Sequence, residues 1–240
     1  MPSGARSLLL ALIVVACGCA GGSAATVTTT TVAPTSAPTS TATAPTSAPG
    51  AAPEFAATVD TVTAADLPAT WREGCPVGPE SLRRLTLTYW GFDDAAHMGT
   101  LIVNADVAEP VAAAFRALYD ARFPIRQMVP VDVYGGSDDS SIAADNTAGF
   151  NCRAAVADGP PTWSQHAYGL AIDVDPVENP SVLDGQTYPP AGADYLDRSN
   201  VRPGMATPTG SLVQAFAAIG WGWGGVWHDV DYQHFSRSGT

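Results

Sequence analysis

The chain has 240 residues, of which 46% are apolar, and a formal net charge of −12 at pH 7. A chain of this length accommodates one or two domains, and much of the apolar content is alanine near the N-terminus, so we expect the folded part to be shorter than the chain. The acidic balance argues against nucleic acid or an anionic membrane face as the partner, because both would repel it.

The first residues have the form of an export signal. Arg6 precedes an apolar run, 8–16, that is too short to cross the ~30 Å hydrocarbon core of a bilayer as a mature helix. We therefore predict a signal peptide at 1–16 and an exported protein. The small residues before Cys17 resemble a bacterial lipobox, which implies that Cys17 becomes a lipidated N-terminus whose acyl chains anchor the protein to a membrane. The alternative is ordinary signal cleavage, with Cys17 lost or left free.

A compositionally biased segment separates the signal from the rest of the chain. Residues 17–65 consist mostly of Ala, Thr, Ser, Pro and Val and contain near-repeats of Ala-Pro-Thr-Ser. Frequent prolines and few large apolar groups predict a disordered linker. The remainder, 66–240, is long enough to bury one core, so we predict a single folded domain there.

Two cysteines remain in the predicted domain, Cys75 and Cys152. In an oxidising compartment outside the cytoplasm, an isolated pair in one domain is most simply a disulfide. Such a bridge would stabilise the domain by roughly 4 to 5 kcal/mol in the chain-entropy model. A cysteine nucleophile is the competing interpretation, and it is the weaker one because only Arg153 gives either cysteine a catalytic-looking neighbour.

Hydrophobic patterns predict both strands and helices in the domain. Alternating and apolar runs indicate three strands, and apolar residues at helical spacing indicate two helices, the second with Thr209 as its N-cap. This layout predicts an α+β domain with a central antiparallel sheet flanked by helices. The strands are predicted at 85–89, 100–104 and 125–129, the helices at 111–119 and 211–219, and an irregular loop at the Gly-, Asp- and Ser-rich segment 132–148.

The stretch 164–175 contains a histidine and an aspartate seven residues apart, His166 and Asp173. An α-helix would separate their backbones by about 10 Å, too far for both to bind one small cation at about 2 Å. From Gly169 onward, large apolar residues alternate with small or acidic ones, which predicts a strand with one core face and one bare face. We expect His166, on the preceding turn, to lean over the same face as Asp173.

The C-terminus supplies another histidine, His234, and an aspartate three residues before it, Asp231. With His166 and Asp173, His234 completes a set of two histidines and one carboxylate. Such a set suits catalytic zinc, because three protein ligands leave a fourth position for water. Residues three apart on a turn face the same way, so we expect Asp231 to stand beside the metal as a general base.

These two motifs resemble those of one family. S-x-H-x-x-G-x-A-x-D at 164–173 and D-x-x-H-F at 231–235 are similar to the motifs of the D-alanyl-D-alanine carboxypeptidase family of zinc peptidases, which is related to the vancomycin-resistance dipeptidases and to some phage endolysins. Further stretches resemble the exported carboxypeptidase-like branch of that family, so the resemblance covers roughly 70–237. These stretches are Cys75-Pro76, Phe123-Pro124-Ile125, Asn151-Cys152-Arg153, Asn179-Pro180 and the tryptophan- and glycine-rich run 220–227.

The resemblance implies a role for individual residues. His166, Asp173 and His234 match the zinc ligands of the family, and Asp231 matches its catalytic acidic residue, which is Glu in many members. Arg153 falls where the family often keeps an arginine that contacts the substrate or the developing oxyanion. The expected mechanism is attack by a metal-activated water, with Asp231 taking the proton and delivering it to the leaving amine.

Peptidoglycan stem peptides are the substrate that the resemblance implies for an exported enzyme. D-alanyl-D-alanine carboxypeptidase activity is the first expectation, and an endopeptidase that cuts between L-Ala and D-Glu is the second. A wall-binding module that keeps the fold but has lost turnover belongs to another class; Asp231 argues against it, because such a module would tolerate Ala or Asn there. We expect a monomer, anchored to the cell membrane through Cys17 and facing the cell wall.

The remaining polar residues near these motifs are given ordinary roles. We predict that His97 and His228 are surface or satisfied core histidines, and that Asp175 and Asp229 are solvated loop carboxylates. Ser164 is expected to hydrogen-bond locally and shape the turn that follows it rather than to act as a nucleophile.

Overall fold

The structure is a computed structural model that describes residues 53–156 and 160–240. The predicted signal peptide, Cys17 and most of the predicted linker lie outside these residues. Helices combined with antiparallel sheets confirm the predicted α+β class, and within the described ranges no helix is long and apolar enough to cross a membrane. The elements are β1 (Ala57–Thr61), β2 (Leu82–Trp90), β3 (Ala96–Asn104), α1 (Ala108–Asp120), α2 (Asp138–Ala143), β4 (Ala171–Asp173), β5 (Ser181–Leu183), β6 (Gln186–Tyr188), α3 (Ser211–Ala218), β7 (Gly222–Trp223) and β8 (His234–Ser236).

The first sheet is antiparallel, with the strand order β1-β2-β3. The register of β2 and β3 places Leu85 opposite Leu101, and both side chains are fully buried. The predicted strands 85–89 and 100–104 are therefore confirmed, within β2 and β3. The buried face of this strand pair packs into the main hydrophobic core.

The N-terminal strand β1 lies inside the segment 17–65, for which composition predicts a linker. All five of its side chains are exposed, so no apolar pattern marks it in the sequence. Its order comes from backbone pairing with β2, in a register that runs from Ala57 opposite Leu87 to Thr61 opposite Arg83. Folded structure therefore begins upstream of residue 66.

Helices α1 and α3 cover the core and contact each other. Phe115 of α1 meets Phe216 of α3 edge-on, with 6.1 Å between ring centroids, and both are essentially buried. The two helices confirm the predictions at 111–119 and 211–219, with small differences at their ends.

The second sheet is also antiparallel and has the order β4-β8-β7. Its central pairing sets Ile172 opposite Phe235 and Asp173 opposite His234. Ile172 and Phe235 are fully buried, and Phe235 stacks on Phe216 with 4.4 Å between centroids. Because successive side chains of a strand point to opposite faces, this core contact turns Asp173 and His234 to the other face of the sheet.

A disulfide joins Cys75 to Cys152, as the sequence predicts. Backbone hydrogen bonds fasten the same region: Phe150 N donates to a carbonyl of β3 at 2.8 Å, and Cys152 N donates to Thr70 O at 3.1 Å. The segment 149–153 is thus tied to two different parts of the fold.

The predicted strand at 125–129 is wrong. The segment lies between two prolines, Pro124 and Pro130, and pairs one residue at a time, as in the isolated bridge between Met128 and Thr147. Proline lacks the N–H that a continuous ladder needs, so this segment, in which only Ile125 and Met128 are buried, does not become a sheet strand.

The predicted loop at 132–148 and the predicted cap Thr209 are also wrong in part. The loop contains helix α2, which begins after Ser137, whose hydroxyl accepts a hydrogen bond from Ser140 N at 3.2 Å. The N-cap of α3 is Gly210, and no side-chain bond caps that helix.

Candidate metal centre

Strand pairing brings Asp173 and His234 together. They are directly opposite in the ladder of β4 and β8, where the Cβ atoms of cross-strand partners lie about 4.5–5.5 Å apart. His234 Nδ1 lies 3.1 Å from Asp173 Oδ1. Both residues are 8% exposed, so water has little access to the contact.

His166 reaches the same place from the 3-10 turn Gln165–Tyr168, which precedes β4. The Ser164 hydroxyl accepts a hydrogen bond from His166 N at 3.2 Å, which is the local role predicted for that serine. The turn ends at Gly169 with φ +68°, where a Cβ would lie 2.6 Å from a backbone nitrogen of β3, so only glycine fits. His166 Nε2 consequently lies 3.2 Å from Asp173 Oδ2.

The spacing of the three side chains fits a metal ion. Each offers one ligand atom, and these atoms all lie within 4.8 Å of one another. His166 Nε2 and His234 Nδ1 are 3.3 Å apart, and they lie 3.2 Å and 3.1 Å from the Asp173 oxygens. A tetrahedral ion with bonds of about 2.0–2.1 Å holds its ligand atoms ~3.3 Å apart. The donor set therefore has donor atoms and separations that could hold a metal ion.

A backbone carbonyl determines which nitrogen of His166 is available. His166 Nδ1 lies 2.6 Å from Gly149 O, and because a carbonyl oxygen only accepts, Nδ1 carries the proton. The lone pair of Nε2 is then directed at the centre, as a metal-binding histidine requires. A Cβ on Gly149 would lie 2.4 Å from Ile102 O, so only glycine allows this close approach.

Charged neighbours outweigh burial in setting the protonation of the centre. Burial would raise the pKa of Asp173, but the imidazoles of His166 and His234 hold it well below its usual range. Burial would likewise lower the pKa of His166, but the Asp173 carboxylate reverses that effect and the pKa is raised. The middle of the centre thus favours a positive charge.

Asp231 lies just before the turn that leads into β8. Its N–H donates to Gly224 O at 3.0 Å, and a Cβ on Gly224 would lie 2.6 Å from Asp231 O, so the glycine lets the two backbones meet. Burial, followed by the negative charge of Asp173, raises the pKa of Asp231 to about 6. Among the described residues, its buried Oδ1 has no hydrogen-bond partner. A carboxylate in this state is suited to accept a proton near neutral pH.

Arg153 is within electrostatic reach of the centre. Burial is the largest influence on the pKa of both His166 and Asp231, and the charge of Arg153 makes a smaller contribution that lowers each. Its Nε lies 2.8 Å from Asp138 Oδ2. Sequence reasoning missed Asp138, because α2 is too short for a readable helical pattern.

An aromatic side chain flanks the third member of the set. The ring of Trp227 lies 5.3 Å from the imidazole of His234, measured between centroids, and its Nε1 donates to Gly239 O at 3.1 Å. Trp227 therefore packs against the imidazole and limits its rotation. The sequence places this tryptophan seven residues before His234 but does not show that the two rings meet.

The other polar candidates lie elsewhere. His97 is exposed, and the side chain of His228 is 99% exposed and contacts Asp229, which is also exposed. The prediction that Asp175 is a solvated loop carboxylate is wrong: the residue is fully buried and accepts a hydrogen bond from Arg126 N at 2.8 Å.

Comparison with known proteins gives one family match. A family model described as D-alanyl-D-alanine carboxypeptidase matches residues 158–237, a segment that includes the three residues of the donor set as well as Asp231. No match was found among curated proteins or among solved structures.

Proposed function

We propose that the protein is an exported zinc peptidase that hydrolyses the stem peptides of peptidoglycan, because residues 158–237 match a family model described as D-alanyl-D-alanine carboxypeptidase. The family match supports a peptidase of the D-alanyl-D-alanine carboxypeptidase type. The observation that carries the zinc assignment is the separation of 3.1–3.3 Å among the donor atoms of His166, Asp173 and His234.

Three residues would hold the ion: His166 through Nε2, His234 through Nδ1, and Asp173 through its carboxylate. Zinc at this position would supply Lewis acidity, which would lower the pKa of a water molecule toward about 7 and polarise a carbonyl oxygen. The hydrogen bond from His166 Nδ1 to Gly149 O keeps that imidazole in the tautomer that can bind the ion.

Asp231 is the proposed general base. With a pKa of about 6 it is mostly ionised at neutral pH, so it accepts a proton from the attacking water and then donates that proton to the nitrogen of the leaving amine. Because Asp is one bond shorter than the Glu of many family members, its reach depends on the backbone position that Gly224 permits.

Arg153 is the proposed substrate contact. Its guanidinium carries a permanent positive charge beside a centre that is otherwise lined with carboxylates and imidazoles. It can hydrogen-bond the carboxylate at the end of a peptide, or the negative charge that develops on the carbonyl oxygen.

The N-terminal sequence supports the proposal of export and anchoring. The apolar run 8–16 and the lipobox-like residues before Cys17 support a lipoprotein on the outer face of the cell membrane. The biased segment that follows would let a monomeric catalytic domain reach the wall.

The test is the product formed from a muramyl pentapeptide by the mature chain, with added zinc and then with a chelator, identified by mass. We expect zinc-dependent loss of one terminal alanine. Cleavage between L-Ala and D-Glu would instead identify the endopeptidase. Intact peptide in both samples would contradict the enzyme and favour the inactive wall-binding module.

A further inference from the structure

An ion pair beside the metal centre has no part in the proton transfer described above. Arg153 Nε and Asp138 Oδ2 are 2.8 Å apart, and the two side chains are only 26% and 28% exposed. Asp138 is the first residue of α2, on a segment of the chain separate from those that carry the donor set.

Asp138 is itself held in place from a second side. Its other oxygen, Oδ1, lies 3.3 Å from Asn151 Nδ2, which donates to it, and the same amide group lies 3.3 Å from Gly136 O. Asn151 is 4% exposed and its N–H donates to His166 O at 3.2 Å. The carboxylate that contacts Arg153 is therefore fixed to the backbone that carries a member of the donor set.

Backbone hydrogen bonds place the pair close to the centre. Ser164 N, two residues before His166, donates to Arg153 O at 3.1 Å. A partly exposed ion pair contributes little to folding stability, so stability gives a weak reason for the pair. Fixing a long and flexible arginine before the substrate arrives reduces the entropy lost on binding, which gives a stronger one.

We propose that Asp138 is a positioning residue that orients the Arg153 guanidinium toward the metal centre, where it binds a carboxylate of the peptide substrate. The inference rests on the proposed function, because it assigns to Arg153 a carboxylate next to the scissile bond. It adds a residue that does not touch the substrate and determines preference for a free C-terminal carboxylate.

The experiment compares Asp138→Asn with Asp139→Asn in the zinc-loaded mature chain. Asp139 is the exposed neighbour in the same helix, so its variant makes the same charge change without touching Arg153. Each protein is assayed with a stem peptide ending in a free carboxylate and with the same peptide ending in an amide. We expect Asp138→Asn to raise KM for the carboxylate peptide about tenfold, with kcat nearly unchanged. KM for the amide peptide should not change, and Asp139→Asn should match the wild type on both peptides.

A double-mutant cycle with Arg153→Ala tests whether Asp138 acts through the arginine. We expect Asp138→Asn to add no further loss once Arg153 is gone. Equal losses on the carboxylate and amide peptides, or losses that add to those of Arg153→Ala, would overturn the proposal.

Binding of both peptides to Asp231→Asn, with and without Asp138→Asn, is measured by calorimetry as a readout that needs no turnover. A wild type that binds without cleaving would refute the proposed catalysis while still testing the positioning role. No effect of Asp138→Asn on binding of the carboxylate peptide would refute the positioning role while leaving catalysis intact.

Discussion

Two buried carboxylates lie close together where β4 ends, and their pKa values are shifted in opposite directions. Asp173 is in the candidate metal centre, and Asp175 belongs to a second group, the acidic cluster, which consists of Arg126, Asp145, Asp175 and Glu178. The imidazoles of the centre overcome burial and hold the pKa of Asp173 well below its usual range. Burial raises the pKa of Asp175 well above its usual range, and the charges of Asp145 and Glu178 add to the rise. The charge of the neighbours, rather than burial, separates the two sites.

The acidic cluster has one guanidinium for three carboxylates. Arg126 Nη2 lies 3.0 Å from Glu178 Oε1, and Arg126 Nε lies 3.4 Å from Asp145 Oδ2. Burial, followed by the adjacent Glu178 carboxyl, raises the pKa of Asp145 to about 7. This cluster therefore offsets its negative charge with Arg126 and with protons bound by Asp145 and Asp175, whereas the candidate metal centre, with two imidazoles and one carboxylate, has the donor types that suit an ion.

Neutralising Asp173 and Asp175 in turn is the most direct test of the difference between the two sites. Asp173→Asn removes the anionic member of the donor set, so we expect loss of bound zinc and a fall in peptide hydrolysis of about a thousandfold or more. Asp175→Asn should keep both within a few-fold of the wild type. Metal content after gel filtration and the hydrolysis rate measure the difference. Equal loss of zinc in the two variants would show that the regions are not independent.

Asp231 shares the elevated pKa of the acidic cluster but lies beside the metal centre. Asp231→Asn should retain zinc and reduce kcat/KM by about 10²–10⁴-fold, because the base is lost while the donor set remains. In the wild type only the ionised form accepts a proton, so activity should fall as the pH drops through about 6, or somewhat lower with the cation bound. A pH profile of kcat/KM measures this. The same acidic limb in Asp231→Asn would assign it to another group.

The disulfide belongs to the metal-centre side of the comparison, because it fastens the segment that supplies Gly149 O. Replacing Cys75 and Cys152 together with serine should cost about 2–5 kcal/mol of unfolding free energy. It should also weaken zinc binding by about tenfold or more, since the carbonyl that orients His166 loses its support. Urea unfolding and a zinc titration measure the two effects. Unchanged zinc affinity in a destabilised variant would restrict the bridge to a folding role.

The smallest expected effect concerns Asp145, in the acidic cluster. Asp145 has a pKa of about 7 in the folded protein and an ordinary value, about 4, when unfolded. The native state therefore holds the extra proton between these values, and stability from this group declines as the pH rises from about 4 to about 7. Asp145→Asn should be more stable than the wild type at pH 8 by about 1–2 kcal/mol, with a smaller difference at pH 5.

Urea unfolding at both pH values is the measurement for this variant. Asp139→Asn, on the exposed face of α2, is the matched control and should behave like the wild type. An Asp145→Asn protein that is destabilised at pH 8 would mean that its ionised carboxylate is needed by Arg126.

Much of the fold was readable from local patterns. Strands β2 and β3 and helices α1 and α3 follow apolar periodicity, because each buries one face in the core. The segment 125–129 also contains apolar residues, Ile125, Met128 and Val129, but its flanking prolines restrict it to single bridges. Helix α2 has only six residues and is stabilised by its Ser137 cap, and its amino-acid composition is typical of a loop.

The sequence predicts those parts of the candidate site that depend on the type and spacing of side chains. The motif spacing predicts His166, Asp173, Asp231 and His234, and the structure brings the side chains of His166, Asp173 and His234 together. Gly149 acts through its backbone carbonyl, which has no signature in a sequence. Asp175 was misplaced because its burial depends on Arg126 and other distant partners, none of which a local pattern reveals.

The ladder between β4 and β8 contains only three residue pairs. The loop 224–233, which leads into β8, therefore does not tolerate a change in length. Gly224 O accepts hydrogen bonds from both Trp227 N and Asp231 N. These two bonds fix the position at which β8 begins. Adding or removing one residue between Gly224 and His234 would slip the register by one and exchange the two faces of the strand. Phe235 would then point toward the donor set and the histidine into the core, so a one-residue change in the length of this loop should abolish metal binding.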